Sequence, residues 1–311
     1  MKLFHLLVKE LALIYPNAHV IAADANPEYS AVCRIATHYV KLPYTTDDHF
    51  NSSLRKVCEE NKIALIIPTT DFDINALVLA IEEKSIPEDT QVLVSSKDFV
   101  LKCQDKVLTC AIFKDANVDF LMPLTVNEFE YPIFMKPRYG YNTEQCRIID
   151  EEADLPRSIL ELEDYDDYIF QYYLSPQQFD EYTIDCYYNK EGKLISAVPR
   201  LRIKVKGGEV TQSMTMKNEV YQWVWENFAE LQDAKGPITL QCFFQRESKE
   251  IVAGEINPRF GGGYTLSYAA GANYIRFIIE EYVLNKTIEP NEAWKENILM
   301  LRYDEEIIIG K

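Results

Sequence analysis

Along MKLFHLLVKELALIY, apolar side chains recur at positions 3, 4, 7, 11 and 14. That 3.6-residue period predicts an amphipathic helix at the start of the chain. The next stretch alternates in kind. AHVIAAD, HYVKLP, IALIIPTT and TQVLVSS read as strands, with DDHFNSSLRKVCEEN and DFDINALVLAIEE as helices among them. Strands of unbroken apolar character alternating with helices predict a parallel sheet covered on both faces over residues 1–102.

From residue 103 the rhythm changes. QDKVLTCAIFKDAN is helical, and YPIFMKP runs through Gly140 to a second strand, QCRIID. Residues 151–167 hold eight acids and one arginine, the pattern of a solvated helix face. DYIFQYYL, DEYTIDCYYN and KLISAVPRLRIKV follow as strands, with KEG and GG marking turns. A helix at EVYQWVWENFAEL precedes the strands ITLQCFFQ and EIVAGEIN. Helix YIRFIIEEYVL and a last strand, EEIIIG, close the chain. The fold class expected is α/β followed by α+β. Its units are an N-terminal one over 1–102, a small one over 103–174 and a larger one over 175–311.

Composition narrows the chemistry. A net charge of −17 argues against a protein that wraps nucleic acid, although a few local cations suffice for a small anion. No apolar run approaches the ~20 residues of a membrane span. Lys2, Lys9 and Glu10 interrupt the first apolar pattern, against a signal peptide, so a cytoplasmic protein is expected. The seven cysteines are scattered and form no CxxC pair, which favours buried thiols over a disulfide framework or a zinc site. All four histidines (His5, His19, His38, His49) lie in the first 49 residues. Chemistry in the rest of the chain must run on carboxylates, amides, lysines, arginines, hydroxyls or a hard metal, unless the N-terminal part reaches over.

One stretch concentrates such groups: GEINPRFGGGYT, residues 254–265. Glu255 and Asn257 are two apart on a predicted strand and so share a face. A hairpin centred on Ser248 puts Gln241 opposite Glu255, and three oxygen donors then converge, a set suited to magnesium. Pro258 stiffens the exit, Arg259 offers a forked permanent cation, and Gly261, Gly262 and Gly263 let backbone approach a ligand closely. The bland alternative is a strand end followed by a loop, with Arg259 in a structural ion pair.

With QDK, MKP, QYYL and DEYTID upstream of it in order, this stretch resembles the ATP-grasp superfamily. The likeness is greatest to the ATP-binding halves of the carbamoyl-phosphate synthase large subunit and their stand-alone relatives, and it covers nearly the whole chain. It implies a pre-ATP-grasp domain and then an ATP-grasp fold of two α+β subdomains with the nucleotide between them. Lys106 and Lys136 would approach the phosphates or the purine. Gln171 would reach the adenine amino group, with the backbone of Tyr172, Tyr173 and Leu174 completing the slot, and Glu181 would take the ribose. Gln241, Glu255 and Asn257 would hold Mg2+, with Mn2+ as a substitute, and Arg259 would stabilise the transferring phosphate. Two departures stand out. The usual Gly/Ser-rich lid reads KPRYGYNTEQCR, with Tyr139 and Tyr141 poised to dock against something, and the first strand of the N-terminal sheet is missing.

The implied reaction joins a small-molecule carboxylate to an amine through an acyl phosphate, with a homodimer allowed and no nucleic-acid or membrane partner. Arg200 and Arg202 alternate on one strand and are expected to face the cleft together, surface ion pairing being the alternative. Two other functions stay open: a nucleotide-binding protein without ligase activity, and a nicotinamide-dependent oxidoreductase using Asp24, although the glycine fingerprint of the latter is absent.

Overall fold

The computed structural model describes residues 2–125, 128–140, 145–155 and 167–310. The chain opens with α1 (Lys2–Ile14) and then β1 (Ile21–Asp24), α2 (Ala31–Ile35), β2 (His38–Lys41), α3 (Phe50–Asn61), β3 (Leu65–Ile66), α4 (Asp71–Glu82) and β4 (Gln91–Val92). β1 pairs with β2 and β3 with β4, both in parallel, but the two pairs form separate sheets. The expected parallel sheet is therefore split into two short ribbons. The first unit is held instead by side chains: Leu54, Cys58, Ile74, Leu77 and Val100 form its core.

α5 (Lys97–Gln104) and α6 (Lys106–Asp115) lead to a small antiparallel sheet of β5 (Ile133–Pro137), β6 (Arg147–Ile149) and β7 (Tyr168–Tyr172), in the order β6-β5-β7. Most of the acidic helix expected over 151–167 lies outside the described residues; the described part begins with a 3-10 turn, Glu152–Asp154.

The largest element is a six-stranded antiparallel sheet in the order β12-β11-β8-β9-β10-β13. It comprises β8 (Phe179–Tyr188), β9 (Leu194–Lys206), β10 (Glu209–Thr215), β11 (Gly236–Gln245), β12 (Ile251–Asn257) and β13 (Leu299–Leu301). α7 (Glu219–Asn227), α8 (Tyr264–Ala270) and α9 (Tyr274–Ile278), the last continued by a π turn over Ile279–Val283, pack on it. One face of the sheet presents Tyr182, Ile184, Cys186, Leu240 and Cys242 to a core shared with α5, α6 and α7. The other face is apolar at one end, where Tyr187, Ile195 and Val198 meet α8, α9 and the leucines of α1. Its remaining end is polar.

The closing strand expected at EEIIIG is not formed. β13 lies earlier, pairing Met300 with Ser213 of β10, and residues 302–310 leave the sheet without regular structure. Three consecutive acids, Asp304 to Glu306, precede the isoleucines, and no strand lies beside them among the described residues. No described helix is long and apolar enough to cross a membrane.

Candidate functional site

Strand registers assemble the polar face. Thr183 stands between Arg200 on β9 and Gln241 on β11, and Gln241 stands opposite Glu255 on β12. One step along, Asp185 faces Thr239, which faces Asn257. Directly opposed residues of an antiparallel pair share a face. Gln241, Glu255 and Asn257 therefore lie side by side, in the register the sequence predicts. That register holds only on the site half of the hairpin. Between Gln241 and Cys242 it shifts, so that Cys242 pairs with Ala253 and Gly254 is the extra residue of a bulge.

The small sheet supplies the facing wall. Gln171 lies opposite Phe134, two residues from Lys136 on the same face of β5, while Ile133, Met135 and Phe170 fill the core behind. Gln171 is only 3% exposed. Its Nε2 donates to the Leu121 carbonyl at 2.7 Å, and Leu121 N–H in turn donates to the Ala253 carbonyl of β12. A carbonyl cannot donate, so this bond fixes which end of the amide is oxygen. Oε1 is buried and has no partner among the described residues. A buried acceptor left unmatched costs about 1–3 kcal/mol, which a bound amino group would recover.

Lys106 opens α6. Its Nζ stands 3.9 Å from Glu255 Oε1 and donates to the Gly140 carbonyl at 2.7 Å. Burial holds the Lys106 ammonium below the usual lysine range; Glu255 opposes that shift and Lys136 adds to it. Lys136 and Glu255 are thus both close enough to act on Lys106. Glu181 sits 3.0 Å from Arg202 Nε, and burial pushes its carboxyl above the usual range while Arg202 pulls it down. Asp105 caps α6 and binds the lid base: Arg138 donates twice to its carboxylate, at 2.9 and 2.7 Å, and Tyr139 Oη donates at 3.1 Å. Tyr139 therefore docks as expected, on Asp105; Tyr141 lies outside the described residues.

Two expectations are revised by geometry, one for Arg200 and one for the glycine run. Arg200 does not reach the cleft. It is 1% exposed and forks onto Asp185, Nε to Oδ2 at 2.7 Å and Nη2 to Oδ1 at 3.0 Å, while Ser267 Oγ donates to the same carboxylate. The glycine run serves that pair. A Cβ on Gly263 would fall 2.8 Å from Arg200 Cζ, and one on Gly261 would fall 3.0 Å from Asp185 Oδ1, whereas only Gly262 has open space around it. Arg259 is engaged in a bidentate pair with Asp71 of α4. Tyr172, whose backbone is the part expected at the purine slot, has its side chain exposed on the outer strand of the small sheet, and Tyr173 and Leu174 are half-buried just beyond it. For the oxidoreductase reading, the first glycine of the chain is Gly140, so the N-terminal unit has no glycine with which to build a phosphate-binding turn.

Sequence reading missed Arg302. It leaves the edge strand β13, pairs with Glu209 and donates from Nη2 to the Gly262 carbonyl at 2.7 Å. Arg200 Nη1, Arg202 Nε and Arg302 Nε are all buried donors without a hydrogen-bond partner among the described residues. Arg202 Nε is near Glu181 but poorly aligned for a hydrogen bond, so that contact is a charge pair. No motif marks Arg302; only the antiparallel return of β13 brings it to the glycine turn.

The donor set suits a magnesium nucleotide. A lone buried amide oxygen matches the adenine amino group, two lysines match phosphates, and one carboxylate with two amides matches a hard cation. Among the described residues no group of three or more His, Cys, Asp or Glu side chains could hold a metal.

The fold is the ATP-grasp fold, and two family models match successive parts of the chain. Residues 166–305 match the family model described as ATP-grasp in the biosynthetic pathway with Ter operon, and residues 1–93 match the PylC-like N-terminal domain. No curated protein matches the chain. Solved structures share the architecture at low identity. The biotin carboxylase domain of Hydrogenobacter thermophilus 2-oxoglutarate carboxylase, in complex with MgADP, ADP and bicarbonate, is 13% identical with a TM-score of 0.72, over 94% of this chain and 70% of that one. Staphylococcus aureus N5-carboxyaminoimidazole synthetase complexed with ADP is 15% identical with a TM-score of 0.65, over 95% and 76%. Rhizobium etli pyruvate carboxylase is 13% identical with a TM-score of 0.70, and the chain spans 29% of its length.

Replacing Gln171 with Leu is expected to weaken ATP binding about tenfold, the worth of one buried hydrogen bond. It should also narrow the preference for ATP over GTP. Titration calorimetry with both nucleotides checks this, and unchanged selectivity would remove the purine role.

Proposed function

We propose that the chain is an ATP- and magnesium-dependent ligase that joins a small carboxylic acid to an amine or similar nucleophile. The observation that carries the reading is the set of polar groups gathered where the small and large sheets approach each other. It includes an unmatched buried acceptor, Gln171 Oε1, and the Lys106–Glu255 pair at 3.9 Å. Gln171 would hold the adenine amino group, Glu181 the ribose, and Lys106 and Lys136 the phosphates. Gln241, Glu255 and Asn257 would hold magnesium, whose part is to neutralise phosphate charge.

The chain's own groups then position two displacements. A substrate carboxylate oxygen attacks the γ-phosphorus, and the bond from that phosphorus to the ADP oxygen breaks. The amine nitrogen next attacks the acyl carbon, and inorganic phosphate leaves with the electron pair of the C–O bond. Cations fixed beside the reacting oxygens lower both barriers, and neither displacement needs a histidine. The unfilled Nε of Arg302, whose Nη2 holds the Gly262 carbonyl, favours an anionic substrate there, with Arg202 as a second cation for it. A homodimer belongs to the same proposal.

ADP release measured against a matrix of amino and hydroxy acids with amines is expected to single out an acid–amine pair. Arg302→Ala should then raise the KM for the acid about tenfold or more, the loss of a charge-assisted bond. Nucleotide binding without ADP release across the whole matrix would instead favour a binding protein.

A further inference from the structure

Asp71 is the first residue of α4, in the N-terminal unit, and it reaches across to Arg259, just past the end of β12. Its carboxylate forks onto Arg259, Oδ1 to Nε at 2.8 Å and Oδ2 to Nη2 at 3.0 Å, with both side chains mostly buried. Its own helix holds it in place. Thr70 and Asp73 form a reciprocal capping box around the start of α4, and the helix dipole favours a carboxylate there. The Asp71 charge also reaches Lys106, one of the two lysines facing the cleft.

The fork Arg259 presents to Asp71 is the same fork a phosphoryl group would accept. Asp71 thus does two opposed things. It fixes the guanidinium beside the oxygen donors, and it sets a negative charge where phosphates must come. We propose that Asp71 is a positioning residue that aims Arg259 and competes with the nucleotide's phosphates for it, so that the first unit gives up ATP affinity in return for turnover. This inference rests on the ligase reading for its second half only.

The signature is a split that a merely structural residue would not produce. With magnesium and either ADP or a non-hydrolysable ATP analogue as probes, Asp71→Asn is expected to bind nucleotide about 5- to 10-fold more tightly than wild type, since one unit charge is removed near the phosphates. Asp71→Glu keeps the charge and should bind as wild type does. Asp71→Ser repeats the neutralisation with another side chain, so the outcome does not hang on the folding of one variant. Unchanged or weaker binding by a folded neutral variant overturns the proposal. With the acid–amine pair found above, Asp71→Asn should lower kcat about tenfold through misaimed Arg259, and Asp71→Glu should recover part of it. An unchanged kcat in Asp71→Asn overturns the positioning half. If wild type releases no ADP with any pair, the ligase reading fails, while the nucleotide titration still decides the competition.

Discussion

Replacing Asp185 with Ala is expected to destabilise the chain by about 3–5 kcal/mol, the usual cost of stranding a buried charge. Asp185 is the counter-ion of Arg200, and both are almost wholly buried under the glycine turn. The substitution strips Arg200 of two aligned hydrogen bonds and leaves Ser267 Oγ without its acceptor. Ser267→Ala removes one neutral donor and keeps the fork, so it should cost only about 1 kcal/mol. Denaturant unfolding of both variants tests the contrast. Equal midpoints would mean that the pair is dispensable and that the glycine run has another purpose.

The second large effect is expected at Glu255. It is the one carboxylate of the three oxygen donors, and it is also the anion opposite Lys106. Glu255→Ala should lower ATP turnover about 100- to 1000-fold, as removal of a key electrostatic group does elsewhere. Glu255→Gln keeps an oxygen but not the charge and should recover little. A pH shift should accompany the loss. Burial already depresses the Lys106 pKa and Glu255 opposes that depression. Without the carboxylate, Lys106 should lose its proton at a lower pH, and nucleotide binding should fall off earlier on the alkaline side. An alkaline limb that stays in place would separate Lys106 from the phosphates.

How much of this was legible beforehand depended on the range of the interactions. The Gln241–Glu255 register could be read because a short hairpin fixes it locally. It survives because the bulge at Gly254 confines the slip to the loop half. The alternation in PRLRI put Arg200 and Arg202 on one face correctly. It could not tell that α8, through Ser267, and the glycine turn cover that face at Arg200 and stop short of Arg202. The three glycines drew attention for the right reason, close approach, with the wrong partner: two of them accommodate a side chain of the same sheet. β10, β13 and α8 were missed, since a seven-residue strand as polar as EVTQSMT has no apolar alternation to announce it. Arg302 went unseen with β13. Gln171 was named from resemblance; only burial reveals that one end of its amide is unmatched.

The split parallel sheet has a consequence for how the first ninety-odd residues stay folded. Two-stranded ribbons are marginal by themselves, so their order depends on the unit's own side-chain core and on contacts beyond it. Beyond it, the leucines of α1 pack with α8 and α9, Ser95 exchanges hydrogen bonds with Lys235, and Asp71 grips Arg259. The N-terminal unit is accordingly tied at several points to the rest of the fold. Whatever loosens the Asp71–Arg259 contact also loosens its footing.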